Sequence, residues 1–403
     1  MQFTDTDCVV IGAGLVGCVA ALGLSRNGFR VQIFETVKFC KAMPEDGRSL
    51  VLSRASIQIL KALQIWPNLS QWAYSVKNIR VSEKGTYGSV LLSAEEVGAQ
   101  ELGCSFPAGK LLGALRNAVV EDPKILVRDQ ASFSELKEHN DYCEVSIVED
   151  GSTDKVTTRF LIGADGSGST VRTALGASLS SISYGQHAVV AELTASVPCN
   201  HKAYEHFTGQ GPLAFIPTGL NTYTSVQCFD VEASVHARAM SDDAYLRLTE
   251  KNIGGRLGVM SNLGKRYSYP LMRQRSSLLN SKRTVVIGNA ANVVHPNGAQ
   301  GLNLGFRDVA SLLTLMKRSG KICDTKATLE LYASLRLKDH RMTGRFTDLM
   351  AQGSRSSLNT LVVLRRLSML AFSHSSRLRK RLVQKASGLG LLEQSVDFSL
   401  WDK

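Results

Sequence analysis

The sequence predicts an α/β framework in several pieces, a β-rich lobe inserted into it, and a helical C-terminal region. Three observations carry this class. A strand-turn-helix-strand pattern fills the first 35 residues, with glycines at positions 12, 14 and 17 in its turn. Two more glycine turns follow apolar strands: FLIGADGSGSTVR around Asp165, and VVIGNAANVVHPNGAQGLNLGFRD, whose loop runs from Gly288 to Asp308. Between these turns, Tyr184 to Pro270 reads mostly as β with one helix near Ser241 to Asn252, whereas everything from Leu302 onward reads as helix.

The elements follow in order. Cys8 to Ile11 is an apolar strand, Gly12 to Gly17 a turn, Cys18 to Arg26 a helix closing near Asn27 and Gly28, and Arg30 to Glu35 a second strand. Helical periodicity from Ser53 to Leu63 is stopped by Trp66-Pro67. Strand-like runs Ile79 to Ser82 and Ser89 to Ser93 alternate with polar turns, and Lys110 to Val120 forms another helix. Ile125 to Arg128 and Glu144 to Val148 belong to a charged meander, after which Phe160 to Ala164 returns to the framework. The expected division is therefore a discontinuous framework at 1–75, 101–180 and 280–340, a β-rich domain at 76–100 and 181–279, and a basic helical region at 341–403.

At 403 residues with 44% hydrophobic content, the chain is long enough for two packed domains and is neither disordered nor fibrous. Its formal charge of +12 is uneven: thirteen Lys/Arg against five Asp/Glu from Leu331 to Lys403 carry +8 of it. Such a tail suits an anionic membrane, a nucleic acid or, most commonly, a solvated helical face; no nucleic-acid partner is expected here. The eight cysteines show no C-x-x-C spacing and no companion histidines, so no metal site is expected and a reducing compartment fits. The start, MQFTDTD, lacks a secretory signal, and the uncharged run Cys8 to Leu24 falls short of the roughly 20 residues of a span. The expected location is cytoplasmic, peripheral on the inner membrane.

Each glycine of the first turn has a distinct physical task. Gly12 permits the tight turn, Gly14 lets a pyrophosphate approach the backbone beside Ala13, and Gly17 lets helix and strand pack closely. Glu35, ending the next strand, would accept hydrogen bonds from a ribose and repel a 2′-phosphate. This Rossmann-like unit favours NAD or FAD over NADP and does not separate those two. Three nucleotide-type turns in one chain point to a single long cofactor lying extended across the fold. In the third, Gly298, Ala299 and Gly301 put little in the way of a flat or anionic ligand.

The ordered motifs GAGLVG, GADGSGSTVR and VVIGNAANVVHPNGAQGLNLGFRDV resemble those of the single-component FAD-dependent aromatic hydroxylases, whose fold is similar to para-hydroxybenzoate hydroxylase. Within that family, DGRSLVLSRAS (46–56), YEHFTGQGPLAFIP (204–217) and GKRYSYPL (264–271) resemble the ubiquinone-biosynthesis hydroxylases, most of all the 2-polyprenyl-6-methoxyphenol hydroxylase branch. The resemblance implies that Gly12, Ala13, Gly14, Gly17 and Glu35 hold the AMP half of FAD. It puts Arg48 near the flavin and Asp165 with Gly166 by the pyrophosphate, where a nicotinamide nucleotide also passes. Gly288 and Asn289 would meet the ribityl chain, and Pro296, Gly298, Ala299, Gly301, Leu302 and Asn303 would border the isoalloxazine. The helix starting near Leu302 would point its N-terminus at the flavin N1–C2=O edge. Three residues depart from the family pattern: Asn289 for the usual Asp, which still hydrogen-bonds a ribityl hydroxyl and suits the methoxyphenol branch; Ala299 where many members have Gly; and Asn297 where the ubiquinone enzymes tend to be aliphatic.

No Ser-His-Asp, Cys-His or paired-carboxylate signature is present, which suits an enzyme whose cofactor performs the difficult step. The resemblance implies that NAD(P)H reduces FAD transiently and that O2 then forms a flavin hydroperoxide, from which oxygen passes to a ring carbon of a polyprenylated phenol. Water must be kept out of such a site. Pro212, Leu213, Ala214 and Phe215 are candidates for the wall over the substrate ring, with Asn297 beside them; an ordinary buried strand fits these residues equally well. His295 and Pro296 are the catalytic candidates of the loop, although a structural contact is the commoner role for such a histidine. In the basic tail, Val363, Leu364, Leu367, Leu370 and Ala371 follow helical spacing and precede Arg377, Arg379, Lys380, Arg381 and Lys385. That pattern suits docking on anionic lipid, contact with other ubiquinone-biosynthesis proteins, or self-association. Two alternatives stay open: an FAD-dependent isoprenoid reductase or dehydrogenase of the same fold, and a non-catalytic flavin-containing scaffold of a membrane complex.

Overall fold

The computed structural model describes residues 6–39, 48–86, 88–318, 326–355, 359–389 and 396, with side chains described outside 352–366. Its centre is a five-stranded parallel sheet in the order Thr284–Val286, Phe160–Gly163, Cys8–Ile11, Val31–Phe34, Ile125–Arg128. The four strands Thr284–Val286, Phe160–Gly163, Cys8–Ile11 and Val31–Phe34 are short, almost wholly apolar and buried, as parallel strands covered by helices must be, whereas the edge strand Ile125–Arg128 buries only Ile125. Leu15–Arg26 packs against both Ala108–Glu121 and Gln300–Arg318. Gly23 marks the second contact, since a Cβ there would lie 2.4 Å from Leu313 Cδ1.

Two small sheets flank this core. Ala131–Glu138, Cys143–Glu149 and Ser152–Thr158 form the charged meander. Ser49–Ser53, Gly103–Pro107 and Tyr74–Val76 form a three-stranded sheet that sequence patterning does not reveal, because its middle strand begins with glycine and ends with proline. Glycine is required there: a Cβ at Gly103 would meet the Leu52 carbonyl oxygen at 2.4 Å.

The large sheet has nine strands among the described residues. Its path runs Asn292–Val293, Tyr267–Ser276, Leu179–Ala195, Thr222–Asp230, Gly211–Pro217, Lys202–Thr208, Asn78–Glu83, Ser89–Ser93, with Met260–Ser261 paired beside Leu179–Ala195. One face buries Leu193, Tyr204, Leu213, Phe215 and Tyr223 against Leu246 and Ile253 of the helix Asp242–Ile253. The opposite face carries Ala188, Val226, Cys228 and Leu271. At its outer edge Val90 and Leu92 pack with Met369 and Val383 of the helices Asn359–His374 and Ser376–Ala386, which cover an otherwise open strand.

The helix Val231–Ala239 contradicts the expectation of a single helix in this lobe. Its composition explains the misreading. Val231 and Val235 are β-branched and exposed, and only Ser234 and Ala237 are buried, so neither the residue types nor an apolar stripe marks a helix.

Candidate active site

The first glycine turn has the geometry its spacing predicts. Gly12 sits at φ +100°, and a Cβ on it would lie 2.6 Å from the Ala164 carbonyl oxygen of the neighbouring strand end. Gly17 faces inward, where a Cβ would collide with the Gly12 carbonyl oxygen at 1.9 Å. Gly14 is the opposite case: a Cβ there meets nothing within 4 Å. One glycine thus allows the turn, one allows packing, and one leaves a smooth backbone cradle at a helix N-terminus, where an anionic group fits.

Glu35 is anchored at this cradle. Its Oε2 accepts from Ala13 N at 2.9 Å and from Arg116 Nη2 at 3.3 Å, while Oε1 accepts from Thr36 N at 2.9 Å. Arg116 also donates through Nε to the Ala13 carbonyl at 3.1 Å and lies over the Phe39 ring. Sequence reading missed Arg116. The signal was available, for it sits on the face of Ala108–Glu121 that buries Leu111, Leu115 and Val119, where an unpaired arginine is costly.

The second turn lies against the first, with Ala164 N donating to the Ile11 carbonyl at 2.8 Å. Asp165 Oδ2 accepts from Thr170 N at 2.8 Å and Val171 N at 3.2 Å, so it caps the short helix Thr170–Ala174, and Gly166 follows at φ +80°. Its Oδ1 is buried with no protein donor among the described residues.

The third turn is tied down from beneath. Gly288, at φ +59°, approaches Val16 of the first helix and donates its N–H to Asp308 Oδ2 at 3.0 Å. Asp308 is fully buried, and its Oδ1 accepts from Arg336 Nε at 2.7 Å and His340 Nε2 at 2.8 Å. Arg336 and Arg307 both pair with Asp339, at 2.7 and 2.8 Å. Burial alone would raise the Asp308 pKa, yet His340 and Arg336 outweigh it and hold the carboxyl below its usual range. This buried ionic cluster went unread; its signal was the pair Arg307-Asp308 inside an apolar helix, facing charged residues on Lys326–Arg355.

Along the loop, Asn289, Pro296 and Gly298 are exposed, Ala299, Gly301 and Leu302 are half-buried, and His295 and Asn297 are buried. Ala299 adopts φ +52°, a conformation that favours glycine. The helix begins at Gln300, two residues before the sequence-based start. Asn303 does not offer its side chain to a ligand: Oδ1 accepts from Ser53 N at 2.8 Å and Ser56 Oγ at 2.7 Å, while Nδ2 donates to Val51 and Ala299 carbonyls. It is a clamp between loop and framework, and any ligand contact it makes must be through its backbone. His295 Nδ1 accepts from Asn297 N at 3.3 Å, its ring meets the Tyr184 edge, and burial pushes its pKa down to about 4. Its Nε2 and Asn297 Nδ2 are buried with no protein partner among the described residues. Tyr184 in turn bonds Asp348, which pairs with Arg273.

The expected substrate wall needs correction. Leu213 and Phe215 face the helix Asp242–Ile253 and belong to that core, because side chains alternate along a strand. Pro212 and Ala214 point to the opposite face, together with Ile216. That face meets the framework: Ser49 Oγ bonds Thr224 Oγ1 at 2.7 Å, and the Arg48 guanidinium lies 5.1 Å from the Tyr269 ring centre. Lys110 lies over the Trp72 ring. Asp46 and Gly47 fall outside the described residues, as do Cys40 and Cys323; the six described cysteines are buried thiols. Among the described residues there is no cluster fit to hold a metal.

The sequence model of the FAD binding domain matches residues 5–338. The chain is 26% identical over 397 residues to the 3-demethoxyubiquinol 3-hydroxylase of Escherichia coli (strain K12), covering 96% of this chain and 100% of that one. It is 28% identical over 390 residues to the ubiquinone hydroxylase UbiL of Rhodospirillum rubrum, covering 95% and 89%. Its fold superposes on the p-nitrophenol 4-monooxygenase PnpA of Pseudomonas putida DLL-E4 with a TM-score of 0.77 at 15% identity, over 97% and 99% of the two chains.

Proposed function

Because the chain belongs to the FAD binding domain family, we propose that it is an FAD-dependent monooxygenase that hydroxylates the aromatic ring of a polyprenyl (methoxy)phenol in ubiquinone biosynthesis. The open approach to Gly14 beside the anchored Glu35 carries the reading, in a chain similar to named ubiquinone hydroxylases over almost its full length. The residues fit the cofactor. Gly14 and the N-terminus behind it would take the pyrophosphate, Glu35 the ribose, and exposed Asn289 a ribityl hydroxyl. When bound, FAD supplies two-electron chemistry with NAD(P)H and the activation of O2.

What this chain supplies is position and dryness. The Asp308 cluster would fix the loop along one edge of the cofactor, and Asn303 ties that loop to Ser53 and Ser56. The sheet face bearing Ala214, Val226 and Tyr269 would cover the substrate ring and keep water away. The buried donors His295 Nε2 and Asn297 Nδ2 would hydrogen-bond oxygen atoms of the cofactor or substrate, since leaving them unpaired costs about 1–3 kcal/mol each.

The prenyl tail gives a membrane contact a purpose. No described helix is long and apolar enough to cross a membrane. Leu367, Leu370 and Leu378 are exposed beside the exposed Arg377, Lys380, Arg381 and Lys385, which supports peripheral docking on anionic lipid. Val363 and Leu364 lie outside the described side chains, and Arg379 is engaged with Glu96.

The purified protein is expected to be yellow and to consume NAD(P)H and O2 while converting a prenylated methoxyphenol to its hydroxylated product. Oxygen-independent turnover would favour an isoprenoid reductase instead. Full quinone synthesis in cells whose protein cannot reduce its flavin would favour a scaffold.

A further inference from the structure

Glu205 is a carboxyl that the assigned roles leave unused. It lies on Lys202–Thr208, paired with Ala214 on one side and Val81 on the other. Ala214 pairs in turn with Val226, and Val226 with Val190. The row across the sheet is therefore Val81, Glu205, Ala214, Val226 and Val190: one carboxyl among four aliphatic side chains. Paired residues in a sheet point to the same face, so Glu205 shares the face of Thr224 and Tyr269, which meets the framework at Thr224 and the helix Asn359–His374 beyond Val81.

Its situation differs from that of the other enclosed carboxylates. Glu35 is held by Ala13 and Arg116, Asp308 by Arg336 and His340, and Glu138 by Arg283 N and Thr284 Oγ1. Among the described residues, Glu205 has neither a hydrogen-bond donor nor an ion-pair partner. Its side chain is half-buried and keeps partial solvent contact. Burial is the sole cause that pushes its pKa up, to about 7. A carboxyl in an apolar wall that only solvent reaches is poorly compensated there, and a hydrogen-bond donor on a ligand would complete it. Two strand spacings of about 4.8 Å separate its strand from that of Thr224, where the framework touches the sheet. That span of roughly 10 Å matches a substituted aromatic ring lying along the face.

We propose that Glu205 accepts the hydrogen bond of the substrate's ring hydroxyl and so selects phenols over their ethers. The role rests on the hydroxylase reading and adds to it a specificity-determining residue. A carboxylate bonded to a phenolic O–H draws the proton toward itself and leaves more electron density on the ring oxygen, which the ortho and para carbons share. The same bond fixes which ring edge faces the cofactor.

The test uses the FAD-loaded enzyme and two probes, 2-methoxy-6-prenylphenol and its methyl ether, with binding read from the flavin absorbance change. Wild type is expected to bind the phenol roughly 30-fold more tightly than the ether, within the range of one charge-assisted hydrogen bond. E205L should abolish this preference. E205Q keeps the shape and a neutral acceptor worth about half the charged one, so the preference should fall to about 5-fold. Bound FAD and the melting temperature report whether each variant is folded, and E205Q decides the matter if E205L is not. Unchanged preference in both variants, with wild type still making hydroxylated product, overturns the role of Glu205 and leaves the hydroxylase reading standing. Wild type that neither responds to the phenol nor hydroxylates it overturns both.

Discussion

Gly14 and Gly17 lie three residues apart, and the structure assigns them opposite sensitivities. At Gly14, φ is −73° and ψ −176°, a conformation open to alanine, and a Cβ meets nothing within 4 Å. Gly14→Ala should therefore leave the cofactor-free protein within about 1 kcal/mol of wild type, because lost unfolded-state entropy offsets a slightly poorer helix cap. Its methyl group occupies the space a pyrophosphate would use. Losing one charge-assisted hydrogen bond, about 1.5–3 kcal/mol, weakens FAD binding roughly 10- to 150-fold. At Gly17 the Cβ would stand 1.9 Å from a backbone oxygen, so Gly17→Ala must move helix or strand and should destabilise even the cofactor-free protein by about 1–3 kcal/mol or more. FAD titration by fluorescence quenching and urea denaturation of the apoprotein separate the two effects. A Gly14→Ala protein with unchanged FAD affinity, or with apoprotein as damaged as Gly17→Ala, would refute the reasoning.

Other consequences follow from the buried groups. Asp308→Asn keeps the shape but puts an NH2 against either Gly288 N–H or the Arg336 and His340 donors; a cost of about 3–5 kcal/mol lowers the melting midpoint by about 4–6 °C and weakens FAD binding, and an unshifted midpoint would count against the cluster. Ala299→Gly relieves a left-handed alanine at φ +52°, so urea denaturation should show it no less stable than wild type, unlike most alanine-to-glycine changes. For pH, His206 and His295 both have folded pKa values lowered to about 4 by burial, so the unfolded chain binds two more protons between about pH 4.5 and 6.5 and their stabilisation is lost as pH falls through that window. Glu205, raised to about 7, acts oppositely by one proton there. The urea midpoint of the apoprotein should thus rise from pH 5 to 6 with a net slope near one proton, and Glu205→Leu should steepen it; a flat profile in both proteins would refute the assignment.

What the sequence disclosed was local. Gly12, Gly14, Gly17 and Glu35 lie within a single strand-turn-helix-strand unit, and there spacing is geometry. The loop from Gly288 was readable as a strand-turn-helix connection of small residues, though its helix begins at Gln300 and the Asn303 side chain turns inward. Residues whose partners are distant in sequence escaped notice: Arg116 meets Ala13 across 103 positions, and Asn303 meets Ser53 across 250. Strand parity was invisible for a different reason. GPLAFIP is apolar on both faces, so alternation gives no sign of which residues look toward the ligand and which toward the helix Asp242–Ile253. Only pairing register settles that Ala214, not Phe215, faces the framework.

The two asparagines that depart from the family pattern gain a common sense once the loop's charges are located. The acidic residue of the loop, Asp308, is turned inward and compensated by Arg336 and His340, so it presents no negative charge to the outside. Asn289, exposed where the resembled pattern has an aspartate, adds none either, and Asn297 contributes a buried donor with no protein partner among the described residues. Gln300 opens a long helix whose N-terminal N–H groups face this loop. Both asparagines therefore move this wall toward neutrality or toward hydrogen-bond donation, which favours an anionic ring edge beside it. The sheet face opposite carries Glu205, a carboxyl with no protein partner among the described residues. A phenol held between them would have its hydroxyl on the accepting side and its reacting edge on the donating side, an asymmetry that fixes the ring's orientation before any chemistry occurs.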